Sequence, residues 1–131
     1  MTTLFTRILN GEIPCHKICE DKDYFAFLDI RPINPGHTLV IPKKEINYIF
    51  DVDDQLLGGL MVYAKKVAVA IKKAFPCEKV GVMVAGIEVP HVHIHLIPIF
   101  KVADLNFANA KPASNEDLAK VAEKIRKYIK S

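Results

Sequence analysis

The sequence predicts an α+β domain: a five-stranded antiparallel sheet with one long central helix and a second helix at the C-terminus. Three observations predict it. The first part of the chain is a series of aromatic and β-branched runs separated by turns. A single helical apolar period fills the middle. Two further strand-like runs and a second helical period follow. Turns as short as these join antiparallel neighbours, because parallel pairing needs a long crossover.

Each element has its own signal. Residues 16–20 (HKICE) read as a short strand, the pair Asp21-Lys22 as a turn, and residues 23–30 (DYFAFLDI) as an aromatic-rich strand. Residues 31–36 (RPINPG) carry two prolines and a glycine and form a loop. Residues 37–43 (HTLVIPK) are the next strand. The long helix runs from about Asp53 to Phe75, where Leu56, Leu57, Leu60, Met61, Ala64, Val67, Ala68, Ile71 and Phe75 keep helical spacing. Asp53 and Asp54 suit its N-terminus, Lys72 and Lys73 its C-terminus, and Pro76 stops it. Residues 79–85 (KVGVMVA) and 91–99 read as two more strands. The last helix starts at Ser114, with Asp117 as a capping-box variant. Leu118, Val121, Ala122, Ile125, Tyr128 and Ile129 give it one apolar stripe. Helices on one face of the sheet leave the other face for a ligand or a second chain.

At 131 residues the chain suits one domain, 1–131. Hydrophobic residues at 50% and charged residues at 25% place it among globular proteins. A net charge of +3 is too small to predict a nucleic-acid partner. Lys120, Lys124, Arg126, Lys127 and Lys130 read as a solvated helix face. No apolar run is long enough for a bilayer, and MTTLFTRILNGEIP lacks a signal-peptide core, so a cytoplasmic location is expected. Cys15, Cys19 and Cys77 are sparse and odd in number, which argues against a disulfide framework. Cys15 and Cys19 can share a face, but no second C-x-x-C pair supports zinc.

The chemistry concentrates in HVHIHLIP, residues 91–98. Alternate residues of a strand share a face, so His91, His93 and His95 point one way and Val92, Ile94 and Leu96 the other. One histidine is ordinarily a satisfied structural residue; three at period two are not what a buried strand needs. Two chemistries remain open on the residues alone. Imidazoles on one strand can bind zinc or iron, with Glu88 or His37 completing the set. A neutral imidazole is also a competent nucleophile toward phosphorus, with its neighbours holding the phosphate oxygens. Phe27 and Asp29, two apart, would share a strand face and make a nucleoside cradle, one for a base and one for two hydroxyls.

The string H-V-H-I-H-L-I resembles the signature of the histidine triad (HIT) superfamily, His-φ-His-φ-His-φ-φ with φ apolar. NGEIP at 10–14, FLDIRPINPGHTLVIPKK at 27–44 and VPHVHIHLIP at 89–98 are similar to that family's blocks, in its order. The resemblance covers about residues 3–100 and is to the Hint-like nucleotide-binding hydrolase branch. It implies a homodimer whose sheets join into one of ten strands. It also implies hydrolysis or transfer at the α-phosphate of a purine nucleotide through a nucleotidyl-histidine, with no cofactor. By position, His93 corresponds to the nucleophile, and His95 and His37 to histidines that contact the phosphate. His91 corresponds to a residue whose carbonyl fixes the nucleophile's tautomer. Asp29 corresponds to the acid that takes the ribose hydroxyls. Leu4, Phe5, Ile8, Phe27 and Ile30 correspond to the pocket for the base.

Two departures matter. Many bacterial members carry C-x-x-C and PKxH, which bind a structural zinc; here those positions are Thr3, Thr6 and Glu45, so no metal is expected. Ile87 stands where a phosphate-binding Gln is usual, and Glu88 where a Ser or Thr helps the leaving group. The leaving-group side therefore differs. The expected activity is on a nucleoside monophosphate derivative such as a phosphoramidate. The alternatives are a nucleotide-binding module with little catalysis, or a dinucleotide polyphosphate hydrolase.

Overall fold

The two faces of the central strands bury two different apolar layers, and that division sets the architecture. The computed structural model describes residues 2–130. Strands β1 (Lys17–Glu20), β2 (Tyr24–Leu28), β3 (Thr38–Pro42), β4 (Lys79–Met83) and β5 (Ile94–Ile99) form one sheet in the order β1-β2-β3-β5-β4. Every pairing is antiparallel. The expected α+β class with five antiparallel strands is what forms. Every residue of β2 and β3 is buried. Tyr24, Ala26, Leu28 and Val40 face the main core with Val92, Ile94 and Leu96. Phe25, Phe27, Leu39 and Ile41 face a smaller cluster on the other side. Burying each large side chain contributes roughly 1.5–3 kcal/mol, so a one-residue register slip would expose both layers.

Helix α2 (Asp54–Ala74) covers the main core. The Asp53 side chain caps it by accepting from the Leu56 N–H at 2.9 Å. Its buried face is Leu60, Tyr63, Ala64, Val67, Ala70, Ile71 and Ala74. Met61, expected on that face, is 49% exposed; it lies about 100° around the helix from Leu60. Alanines and Gly59 instead let the helix lie close to the sheet. Helix α3 (Asn115–Arg126) is capped by Ser114, whose Oγ accepts from the Asp117 N–H at 3.1 Å. It buries Leu118, Ala122 and Ile125. Tyr128 lies past the helix end and is exposed, so it drops out of the stripe.

Several elements differ from expectation, most of them strands a few residues shorter, and three of the differences touch the histidine face. A helix α1 (Leu4–Leu9) forms where only strands and turns were read. At six residues it is too short for periodicity to reveal. The Thr3 hydroxyl caps its start, Gly11 at φ 79° follows its end, and Phe5 is its buried residue. β2 ends at Leu28, so Asp29 stands just past the strand. β5 begins at Ile94, so His91 and His93 sit in the lead-in rather than in the ladder. That lead-in has its own bonds: Val92 N–H donates to Ile46 O at 2.7 Å and His91 N–H to Val89 O at 2.8 Å.

Gly58 and Gly59 give a paired test of how α2 sits. A Cβ on Gly58 meets nothing within 4 Å, whereas one on Gly59 collides with the Tyr24 hydroxyl and approaches its Cζ at 3.0 Å. Tyr24 is held there by donating to Leu56 O at 2.9 Å. Gly58→Ala is expected to stabilise by about 0.5–1 kcal/mol through helix propensity. Gly59→Ala is expected to destabilise by about 1–3 kcal/mol through overpacking. Denaturant unfolding of the two variants measures both signs.

Candidate active site

The histidine face is built from three parts of the chain: the lead-in and start of β5, the loop before β3, and α1. His95 lies in the ladder opposite Leu39 and Met83. His93 precedes it, with ring centroids 4.9 Å apart. His37 enters from the end of the Pro-rich loop, its Nε2 2.9 Å from His95 Nδ1. His37, His91, His93 and His95 are all buried.

The hydrogen-bond partners assign the protons. The Ile33 N–H donates to His37 Nδ1 at 3.0 Å, so that nitrogen is an acceptor and the proton of a neutral His37 is on Nε2. His37 Nε2–H therefore donates to His95 Nδ1, which leaves the proton of neutral His95 on Nε2. His93 Nδ1 lies 2.7 Å from the His91 carbonyl. A carbonyl only accepts, so His93 carries its proton on Nδ1 and keeps a lone pair on Nε2. His91 Nε2 donates to Pro42 O at 2.8 Å, and its Nδ1 accepts from the Thr3 hydroxyl at 3.2 Å.

Burial favours the neutral form of His37, His95 and His91. Burial first and His95 second pull His37 down to about 3. Burial first and His93 second pull His95 down to about 4. Burial also lowers His91. The Asp29 carboxylate lies 3.5 Å from His37 Nε2 and 4.0 Å from His95 Nδ1. With both imidazoles neutral these are polar contacts rather than ion pairs. Burial raises the Asp29 carboxyl, against the opposing pull of the Arg31 N–H, which donates to it at 2.9 Å.

The aromatic wall comes from α1 and β2. Phe5 packs edge-on against His93 at 4.9 Å, His91 at 5.8 Å and Phe27 at 5.4 Å. Ile8 packs against the same cluster. Leu4 and Ile30 are exposed. The structure thus gathers His37, His91, His93, His95, Asp29, Phe5, Phe27 and Ile8, while Leu4 and Ile30 are exposed chain neighbours of Phe5 and Asp29. Ile87 is 89% exposed and Glu88 is exposed, near enough to Asp29 to raise its carboxyl further. An apolar cavity of about 310 Å³ lies behind the site, between the Pro-rich loop and α3, and is bordered by Asp29 and His37.

These observations decide the family. A HIT domain model matches residues 10–102. The chain belongs to the HIT family. It is 37% identical over 127 residues to an uncharacterised HIT-like protein of Methanocaldococcus jannaschii, covering 94% of this chain and 98% of that one. It is 41% identical over 96 residues to the adenosine 5'-monophosphoramidase of Saccharomyces cerevisiae, covering 72% of this chain and 61% of that one. Among solved structures, a Hit-like protein from Bartonella henselae superposes with a TM-score of 0.85 at 36% identity, covering 97% and 96% of the two chains.

Phe107 is a neighbour that reading the HIT blocks missed. Its ring lies 4.9 Å from His95. It comes from the segment after β5, where Asn106 accepts from the Ala108 N–H and Asn109 donates to Ala103 O. No periodicity marks that segment. A structural zinc was the other question the HIT resemblance raised. Thr3, Thr6 and Glu45 offer only oxygens, and Glu45 Oε1 already accepts from Thr3 N–H at 2.8 Å and Thr6 Oγ1 at 2.7 Å. Structural zinc takes thiolates and imidazoles, so these residues do not fit it.

The lowered histidines set the pH response. Unfolded, His37 and His95 take up protons near the ordinary histidine value of about 6.5; folded, they resist to about 3 and 4. The unfolded state therefore binds more protons across this window, and stability falls as pH drops from about 6.5 to 4. The slope is at most about 1.4 kcal/mol per pH unit for each group. Asp29, raised in the folded state, opposes the trend. Urea unfolding between pH 7.5 and 4 measures this, and His37→Gln is expected to flatten the slope. An identical slope in that variant would show that His37 is not its source.

Proposed function

We propose that this chain is a nucleotidyl hydrolase or transferase acting at the α-phosphate of a purine nucleoside monophosphate derivative, such as a phosphoramidate, with His93 as nucleophile. One observation carries the reading: the His93 Nδ1–H bond to the His91 carbonyl at 2.7 Å leaves the Nε2 lone pair beside His95, whose own Nε2–H is left free by the bond from His37. The name of the yeast relative, an adenosine 5'-monophosphoramidase, fits the same chemistry.

In this reading His93 Nε2 attacks phosphorus, the N–P bond forms, and the bond to the leaving group breaks. The leaving amine takes a proton from solvent as it departs, and the hydrolysing water of the next step returns one. Water then attacks phosphorus, releases the nucleoside monophosphate and restores His93. His95 Nε2–H and the polarised His37–His95 pair stabilise the charge that builds on the phosphate oxygens. Asp29 takes the ribose hydroxyls, and Leu4, Phe5, Ile8, Phe27 and Ile30 form the side that receives the base. His91 fixes the tautomer of His93. Each step needs proton donors and one lone pair, and none needs a metal.

A second reading is a nucleotide-binding module with little turnover, favoured by the exposed Ile87-Glu88 pair where leaving-group contacts are usual. Adenosine 5'-phosphoramidate decides between them. Rapid quench and mass spectrometry are expected to find an adenylyl group on His93, and His93→Ala is expected to lower turnover more than about a thousandfold. Tight AMP binding with no turnover of several leaving groups would favour the second reading. Stoichiometric zinc or iron, lost in His37→Ala, would overturn both, since Asp29, His37 and His95 present ligand atoms within 4.8 Å of one another.

The partner we infer is a second copy of the chain. β4 is an edge strand, Val82 and Val84 around it are exposed, and so are Met61, Val62 and Val69 on α2. Sedimentation equilibrium is expected to give twice the 14.7 kDa chain mass, and Val82→Asp to shift it toward the monomer. A monomer at all concentrations would remove the ten-stranded sheet.

A further inference from the structure

The residues at the start of α1 form a closed hydrogen-bonded clasp that ends on the histidine face. Glu45 Oε1 accepts from the Thr3 N–H at 2.8 Å and from Thr6 Oγ1 at 2.7 Å. Each threonine hydroxyl has one proton. Thr6 gives its proton to Glu45. Thr3 Oγ1 accepts from the Thr6 N–H at 3.2 Å, and of the two acceptors near its own proton, Thr6 Oγ1 at 3.3 Å and His91 Nδ1 at 3.2 Å, the buried His91 Nδ1 takes it. The direction of that last bond is forced, because His91 Nε2 is already the donor to Pro42 O at 2.8 Å. His91 in turn presents its carbonyl to His93 Nδ1–H at 2.7 Å. Glu45 thus sits at the head of an ordered chain that runs Glu45, Thr3, His91, His93.

The clasp joins parts that are far apart in sequence. Thr3 and His91 are separated by 88 positions, and Thr3 and Glu45 by 42. It seats α1, which places Phe5 edge-on to both His91 and His93. His91 is completely buried, so an unmatched Nδ1 there would be costly. Glu45 itself is exposed and does not reach the reacting atoms.

We propose that Glu45 is a positioning residue for the reaction: through Thr3 it holds His91 in one orientation, and His91 holds the nucleophile. The kinetic consequence rests on the phosphate-transfer function proposed above; the structural consequence does not. A bland alternative is that Glu45 only secures α1. That role would weaken the base side and raise KM while leaving the chemical step and the His91 ring unchanged.

The test uses the full chain, 15N-labelled, with Glu45→Ala, Glu45→Gln, Thr3→Val and Thr3→Ser. Long-range 1H–15N correlation spectra read the imidazole nitrogens without substrate. The His91 Nδ1 resonance is expected to move in Thr3→Val and in Glu45→Ala, and to stay near wild type in Thr3→Ser and Glu45→Gln, which keep a hydroxyl and an acceptor oxygen. With adenosine 5'-phosphoramidate, kcat is expected to fall about tenfold in the first two variants, with KM changed less than about twofold. Should Thr3→Val fail to fold, Glu45→Ala, at an exposed position, carries the comparison. Unmoved His91 resonances in both variants, or a rise in KM alone, would overturn the proposal. If wild type turns over no nucleotide, the proposed function fails, and the resonances alone decide the clasp.

Discussion

Four imidazoles are buried on one side of this sheet, and every one must place two ring nitrogens. A neutral imidazole has one donor and one acceptor. Burial makes the neutral form the stable one and makes an unmatched nitrogen costly. The surrounding chain answers with groups of fixed polarity. A backbone N–H from Ile33 can only donate, and carbonyls from Pro42 and His91 can only accept. Those three groups determine which nitrogen carries each proton. Among the described residues, no buried side-chain nitrogen or oxygen lacks a partner. His93 and His95, 7% and 6% exposed, are the two rings whose Nε2 atoms have no protein partner among the described residues. That opening is where a ligand would enter.

Part of this was legible in the sequence because it follows from alternation. Val92, Ile94 and Leu96 do anchor the main core while His93 and His95 share the other face. Asp29 and His37 were assigned by the HIT blocks, and they do meet His95. What sequence could not show is where the ladder stops. Hydrogen-bonded pairing begins at Ile94, so His91 is free to turn its ring toward Pro42 and Thr3. Strand periodicity describes side-chain direction but says nothing of such a local departure. α1 was invisible for a related reason: its six residues bury Phe5 alone, and a single contact has no period. Phe107 reaches His95 from an irregular segment held by asparagine and aspartate bonds, which no hydrophobic pattern encodes.

Neutrality also shapes what the site can recognise. His37 at about 3 and His95 at about 4 cannot supply full positive charge at neutral pH. The pair offers the His95 Nε2–H dipole instead, oriented by the bond from His37, and it needs no counter-ion. Dipoles fixed in place are well suited to charge that develops during reaction, because they do not reorganise. They are less suited to neutralising several standing charges. A carboxylate, Asp29, already lies within 4.0 Å of both rings.

The balance of charge around Asp29 then bears on the leaving group. Burial is the largest influence and raises its carboxyl, the Arg31 N–H lowers it, and Glu88 raises it further. Arg31 is partly committed elsewhere, donating to Ala110 O at 3.4 Å. A dinucleotide polyphosphate would bring several negative charges to a face with Asp29 and Glu88 beside it. Each close like-charge pair costs on the order of 1 kcal/mol even in a water-like dielectric, and more where burial lowers it. A phosphoramidate brings one charge and releases an amine that carries a proton away. In the proposed reaction Glu88 would repel the first kind of leaving group more than the second. On this physical ground the Ile87-Glu88 departure from the usual HIT pattern would favour a substrate with few standing charges, in line with the proposed phosphoramidate.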